Sequence, residues 1–152
     1  MNAHRLLPAG LALVLGAALA CSDSAGSGDV TLADLAGTWN ATQFTLTNPA
    51  NSSQSLDLIT MGGSFTLTIN ASGAFSGEQS LLGNTDTFSG TVQLIDNHSM
   101  VLIDGTNPSD RTDLTYTLTG DRLAVSSSDL TYDWNNDGTD EAASLSAVLQ
   151  RQ

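Results

Sequence analysis

Ser64-Phe65-Thr66-Leu67-Thr68-Ile69-Asn70 alternates polar and apolar side chains without a break. Successive side chains of an extended chain point to opposite faces, so a period of two predicts a strand with one face buried and one wet. Two other stretches read the same way. Phe88, Gly90, Val92 and Leu94 alternate with Thr87, Ser89, Thr91 and Gln93, and Leu114, Tyr116 and Leu118 alternate with Asp113, Thr115, Thr117 and Thr119. Threonine suits the wet face, because a β-branched side chain fits a pleated surface.

Working outward, turn formers punctuate the chain at short intervals. They fall at Asn48-Pro49, Met61-Gly62-Gly63, 70–73, Gly83-Asn84, 96–98, 105–110, Gly120-Asp121 and Asn136-Asp137-Gly138. Parallel crossovers need a dozen or more residues, and none is available, so sequential antiparallel hairpins are expected. The expected strands are 38–47, 53–60, 64–70, 74–81, 86–95, 99–103, 112–119, 122–127, 129–135 and 140–149, eight to ten in all. The predicted fold is all-β: an antiparallel up-and-down meander that closes into a barrel, because closure removes the edges. A β-sandwich is the alternative. Ahead of the strands, 30–35 (VTLADL) could form one helical turn with Thr31 as N-cap.

Composition excludes several functions. The 152 residues hold 4 basic and 16 acidic side chains, with no Lys, for a net charge of −12. Such a chain cannot neutralise phosphates, so no nucleic acid is expected as a partner. Its single Cys allows no internal disulfide. At 40% hydrophobic and 13% charged, it is not a disordered acidic tail.

The first 20 residues carry Arg5, then an apolar run over 6–19, then small residues. That run is too short to span a bilayer and predicts a signal peptide over 1–20. The sequence Ala18-Leu19-Ala20-Cys21 resembles a bacterial lipobox, with Ala18 where that family usually has Leu. The resemblance implies lipidation of Cys21 and a membrane anchor; an ordinary signal with an incidental Cys is the other reading. Ser22, in place of Asp, points to the outer membrane. Residues 21–29 then form the lipidated Cys and a flexible Gly/Ser-rich tether, and 30–152 the β domain.

The domain opens Gly37-Thr38-Trp39 and later carries Thr112-Asp113-Leu114-Thr115-Tyr116. A G-x-W entering the first strand, followed in order by a T-D-x-x-Y motif, resembles the lipocalin and fatty-acid-binding group of barrels. The resemblance implies that Trp39 plugs one end against a late arginine, Arg151 after the last strand or else Arg122. It departs from that group in lacking a helix after the strands, a helical lid and an Arg-x-Tyr carboxylate clamp.

The stretch 133–141 (DWNNDGTDE) places oxygen-bearing Asp133, Asn135, Asp137, Thr139 and Glu141 at alternate positions, with Gly138 sixth. The opening half of an EF-hand looks like this, and such a loop could hold Ca²⁺. Ser144 stands where the closing Glu belongs, so a complete EF-hand is excluded. A plain Asp-Gly hairpin turn is the competing reading.

No catalytic motif is present. Asp96, His98 and Ser99 are neighbours in one turn, which does not supply the held geometry of a triad. The expected function is therefore non-enzymatic: an envelope lipoprotein, exported by the general pathway, that binds or carries a small apolar ligand. The alternative is a solid barrel that contacts an envelope protein through 48–54 or 105–110, with calcium as a stabiliser.

Overall fold

The computed structural model describes residues 29–152. The signal peptide at 1–20, the lipidation site Cys21 and the tether up to residue 28 lie outside the described residues. Among the described residues there is one helical turn, α1 (Leu32–Leu35), followed by nine strands. These are β1 (Gly37–Thr47), β2 (Ser55–Asp57), β3 (Ser64–Ile69), β4 (Ala74–Leu81), β5 (Asn84–Leu94), β6 (Ser99–Asp104), β7 (Arg111–Thr119), β8 (Arg122–Tyr132) and β9 (Glu141–Arg151).

Every pairing is antiparallel, and the ladder runs β1-β3-β4-β5-β6-β7-β8-β9 and back to β1. Eight strands thus close an up-and-down barrel, the lipocalin-like architecture, and the sandwich alternative is set aside. The short β2 pairs with the far end of β1, at Thr45–Thr47, while β3 pairs with its first residues, Gly37–Asn40. The two are halves of one barrel position, separated by a turn.

That separation corrects the expected strand over 53–60. Asp57 Oδ1 accepts from the amides of Ile59 and Thr60, at 3.0 Å each. A side chain that captures the next amides offers the backbone an alternative to the ladder, and the chain turns. A second correction concerns 122–127 and 129–135, which form one strand rather than two. A bulge between Ser127 and Leu130 leaves two residues of β8 unpaired against one of β9. The inward set then moves from Leu123 and Val125 to Leu130. A bulge flips the alternation without ending the strand, so it looks like a break in sequence. β1 does the same near Thr42, shifting the inward residues from Trp39 to Phe44. The third correction is that β9 runs on to Arg151, which lies within the last strand and not after it.

The core is the barrel interior. Leu35, Trp39, Ile69, Leu123 and Leu149 are its largest fully buried side chains. Two interior strand positions are glycines for a steric reason. Phe75 pairs with Gly90, and Phe88 pairs with Gly77. A Cβ on Gly77 would fall 2.2 Å from the Phe88 ring, and one on Gly90 would fall 2.0 Å from the Ile103 carbonyl oxygen. The glycines let the rings lie down on the sheet and let β5 approach β6 closely.

Candidate ligand-binding site

The barrel has a closed floor and a mouth at opposite ends. Turns 70–73, 95–98 and 120–121 lie at the floor, together with α1; loops 48–63, 82–83, 105–110 and 133–140 lie at the mouth.

The floor is built on Trp39. Its ring is fully buried, and its indole N–H donates to the Leu35 carbonyl at 2.9 Å. Arg151, directly opposite across the β1–β9 ladder, lays its guanidinium 4.3 Å from the ring centroid. The same guanidinium donates to the carbonyls of Ala36 and Asp34, the latter at 2.6 Å, and pairs with Asp121 at 3.3 Å. Arg151 therefore joins α1, the plug and the β7–β8 turn. Gly37, at φ 142, brings α1 over the opening; a Cβ there would press on the Arg151 side chain at 3.2 Å. Arg122, the other candidate partner, is exposed at the start of β8.

α1 is held by a reciprocal cap. Asp34 accepts from the Thr31 amide and hydroxyl, and Thr31 accepts from the Asp34 amide. The Thr31 hydroxyl and amide, with Arg151 nearby, hold the Asp34 carboxyl below its ordinary value. The floor turn at 95–98 is structural. Asp96 accepts from the His98 amide, and its carbonyl accepts the Tyr116 hydroxyl at 3.1 Å. Asp96, His98 and Ser99 are thus turn residues, with the Asp96 carboxyl also held low by the His98 amide.

On the mouth side of Trp39 the interior is not filled. A cavity of about 200 Å³ is lined by Phe44, Phe65, Leu67, Ile69, Phe88, Met100, Leu102, Thr112, Leu114, Leu123, Val125, Leu130, Leu145, Ala147 and Leu149. Thr112 contributes its one polar side chain. Phe44, Phe65 and Phe88 form one continuous group along its wall, and Phe75 extends that group from Phe88. Centroid separations are 4.9 Å for Phe44–Phe65, 5.5 Å for Phe65–Phe88 and 6.2 Å for Phe75–Phe88. Eight-stranded barrels are just wide enough to be filled by side chains or to hold one small ligand. Here Ala147 and the flattened rings leave room. Sequence reading placed Phe65, Leu67, Ile69, Phe88 and Leu114 on buried strand faces but not around a cavity; the signal for that was present in Gly77 and Gly90, small residues at inward positions paired with Phe.

The mouth loop 133–140 folds on its own polar side chains. Asp133 accepts from the amides of Asp137 and Gly138, and Asn135 also accepts from that of Asp137. Asp137 accepts from the Thr139 amide at 2.8 Å, which with Asn135 lowers its carboxyl from the usual range. Glu141 accepts from the Trp134 amide and the Asn135 side chain, at 2.8 and 2.7 Å. Carboxylate oxygens of Asp133, Asp137 and Glu141 lie within 4.8 Å of one another. That donor set is all hard oxygen, the chemistry calcium takes. The 48–54 and 105–110 loops sit at this same end, each fastened by its own turn bonds, such as Asn48 to Gln54 and Thr106 to Asp104.

No protein-family model matches the chain, and no curated protein is significantly similar to it. Among solved structures it is similar to As-p18, an extracellular fatty acid binding protein, at 14% identity and a TM-score of 0.38. The match covers 81% of this chain and 100% of that one. A likeness of that degree says nothing about what this chain binds.

Proposed function

We propose that the domain is a non-enzymatic binding barrel for a small apolar molecule, carried on an envelope lipoprotein. The observation behind this reading is the cavity of about 200 Å³, apolar on all sides but Thr112 and closed at one end by the Trp39–Arg151 floor. A cavity lowers stability in proportion to its volume through the packing it forfeits, and an apolar occupant would restore those contacts.

The anchoring expectation adds an orientation. Asp29 and Val30 are tied to Asn97 in a floor turn, through bonds of 2.7 and 3.0 Å. A lipid on Cys21, eight residues before Asp29, would hold the floor toward the membrane at a reach of about 28 Å. The mouth would then face away from the bilayer, and the ligand would arrive from the aqueous side. Ser22 favours the outer membrane in this reading.

Native mass spectrometry of the purified chain, with analysis of its organic extract, tests the binding role. A co-purifying hydrophobe that disappears in Ala147→Leu supports it. A wild-type barrel that takes up no hydrophobe of this size overturns it.

A second reading concerns the mouth. The convergence of Asp133, Asp137 and Glu141 within 4.8 Å favours a calcium site there, with Asn135 and Thr139 beside it. Its role would be to stiffen the 133–140 loop. The remaining alternative, a protein-contacting barrel, would use the 48–54 and 105–110 loops of the same end.

A further inference from the structure

We infer that the cavity takes uncharged hydrophobes of about ten non-hydrogen atoms or fewer and rejects carboxylates. The inference rests on the binding role proposed above and names its ligand class.

Size sets the first limit. An apolar protein cavity of about 150 Å³ holds a benzene-sized ligand, and pockets for drug-sized molecules start at about 300 Å³. A cavity of about 200 Å³ takes a molecule a little larger than benzene. A long acyl chain does not fit inside it whole.

Charge sets the second. The described arginines all lie outside the cavity. Arg151 is held under the plug by Trp39, Ala36, Asp34 and Asp121. Arg122 is exposed at the floor, and Arg111 is exposed with Nη2 toward Gln93 at 3.5 Å. Among the described residues no guanidinium lines the cavity, and Thr112 offers only a hydroxyl. A carboxylate moved from water into such a lining has no partner, which costs several kcal/mol and favours its neutral acid. An ordinary carboxylic acid is on the order of one part in a thousand neutral at pH 7.

The mouth adds a separate bias. Its loops and adjoining strand ends carry Asp57, Asp86, Asp104, Asp110 and the 133–141 carboxylates, against Arg111 alone. Carboxylates gathered around an opening repel an approaching anion and leave a neutral molecule unaffected.

Titration of the full chain at neutral pH with toluene, benzoate and methyl benzoate tests the inference. Benzoate lies between the two neutral probes in size, so charge is isolated. The readout is the methyl resonances of Met100 and Leu102 by nuclear magnetic resonance. Toluene and methyl benzoate are expected to shift them saturably, with benzoate at least about a hundredfold weaker. Loss of the toluene response in Ala147→Leu places the binding in the cavity. Benzoate binding as well as its methyl ester overturns the charge selection and leaves the binding role intact. No response to any of the three overturns both.

Discussion

Arg151 stacks on Trp39 from the facing position of the neighbouring strand, its guanidinium carbon 4.3 Å from the indole centroid. The pair closes the barrel and ties the first strand to the last. Two separate energies are involved. Burial of the indole is the larger, and truncating a buried Trp costs about 4 kcal/mol. The guanidinium adds a cation–π contact and charge-assisted bonds to two carbonyls. Arg151→Ala is therefore expected to lower unfolding stability by about 2 kcal/mol, and Trp39→Ala by more. Arg151→Lys is expected to recover less than half, because an ammonium cannot reach Ala36, Asp34 and Asp121 together while covering the ring. Urea unfolding checks the order; full recovery by Lys would show that charge alone matters.

Gly77 and Gly90 make a second prediction, because their obstacles differ in kind. A methyl on Gly77 meets the Phe88 side chain, which can move; a methyl on Gly90 meets the Ile103 carbonyl oxygen, which is held in the β5–β6 ladder. Gly77→Ala is expected to cost about 2 kcal/mol, and most of that clash should be relieved in combination with Phe88→Leu. Gly90→Ala is expected to cost more and to be relieved by no single side-chain change. Equal costs with no coupling between Gly77→Ala and Phe88→Leu would contradict the ring-on-glycine packing.

These pairs also mark where the sequence could and could not be read. The strands at 64–69, 88–94 and 113–119 were visible because alternation reports local burial. The plug was visible because G-x-W opens the domain. The acidic mouth cluster was visible because alternate oxygens converge on a turning backbone. The phase flips near Thr42 and Ser127 were not, since a bulge and a strand end disturb the alternation alike. The cavity was not either. Its volume depends on how Phe44, Phe65 and Phe88 lean together from three strands, and on the small Ala147 paired with Phe44, which no local pattern encodes.

The α1 cap gives a pH dependence with a definite sign. The Asp34 carboxyl is lowered from 3.8 by the Thr31 hydroxyl and amide, so the folded state prefers it ionised. The contribution to stability is fully present above the unfolded value and is lost as pH falls through the folded one. The gap in urea midpoint between wild type and Asp34→Ala is thus expected to be full near pH 6 and to narrow below about pH 3.8. A gap that stays constant into strong acid would refute the assignment. Asp96, Asp104 and Asp137 are lowered by bonds in their own turns and should act in the same direction.

Calcium is expected to raise the melting temperature through the mouth loop. Ligand at ten times its dissociation constant stabilises by about 1.4 kcal/mol, roughly 5 °C for a domain of this size. Turning Glu141 toward an ion would break its bonds to the Trp134 amide and the Asn135 side chain. Trp134 fluorescence should therefore change along the same titration, and Glu141→Gln should weaken both responses. Millimolar calcium that moves neither signal ends this reading.

Leu82 supplies a prediction of the opposite sign. The β4–β5 turn places Leu82 at φ 52 and Gly83 at φ 84, between the paired residues Leu81 and Asn84. Two positive φ values mark a type I′ turn, which favours Asn-Gly. A leucine in the left-handed region brings its Cβ against the following carbonyl, at a cost of about 1–2 kcal/mol. Burial offers no compensation, since the side chain is 78% exposed. Leu82→Asn is expected to raise stability by about 1 kcal/mol, read as a higher urea midpoint. A lower midpoint would mean that Leu82 contributes a contact worth more than its backbone conformation costs. If Leu82→Asn stabilises the barrel yet slows toluene uptake, the strained leucine acts at the mouth, as strain held at a working site does.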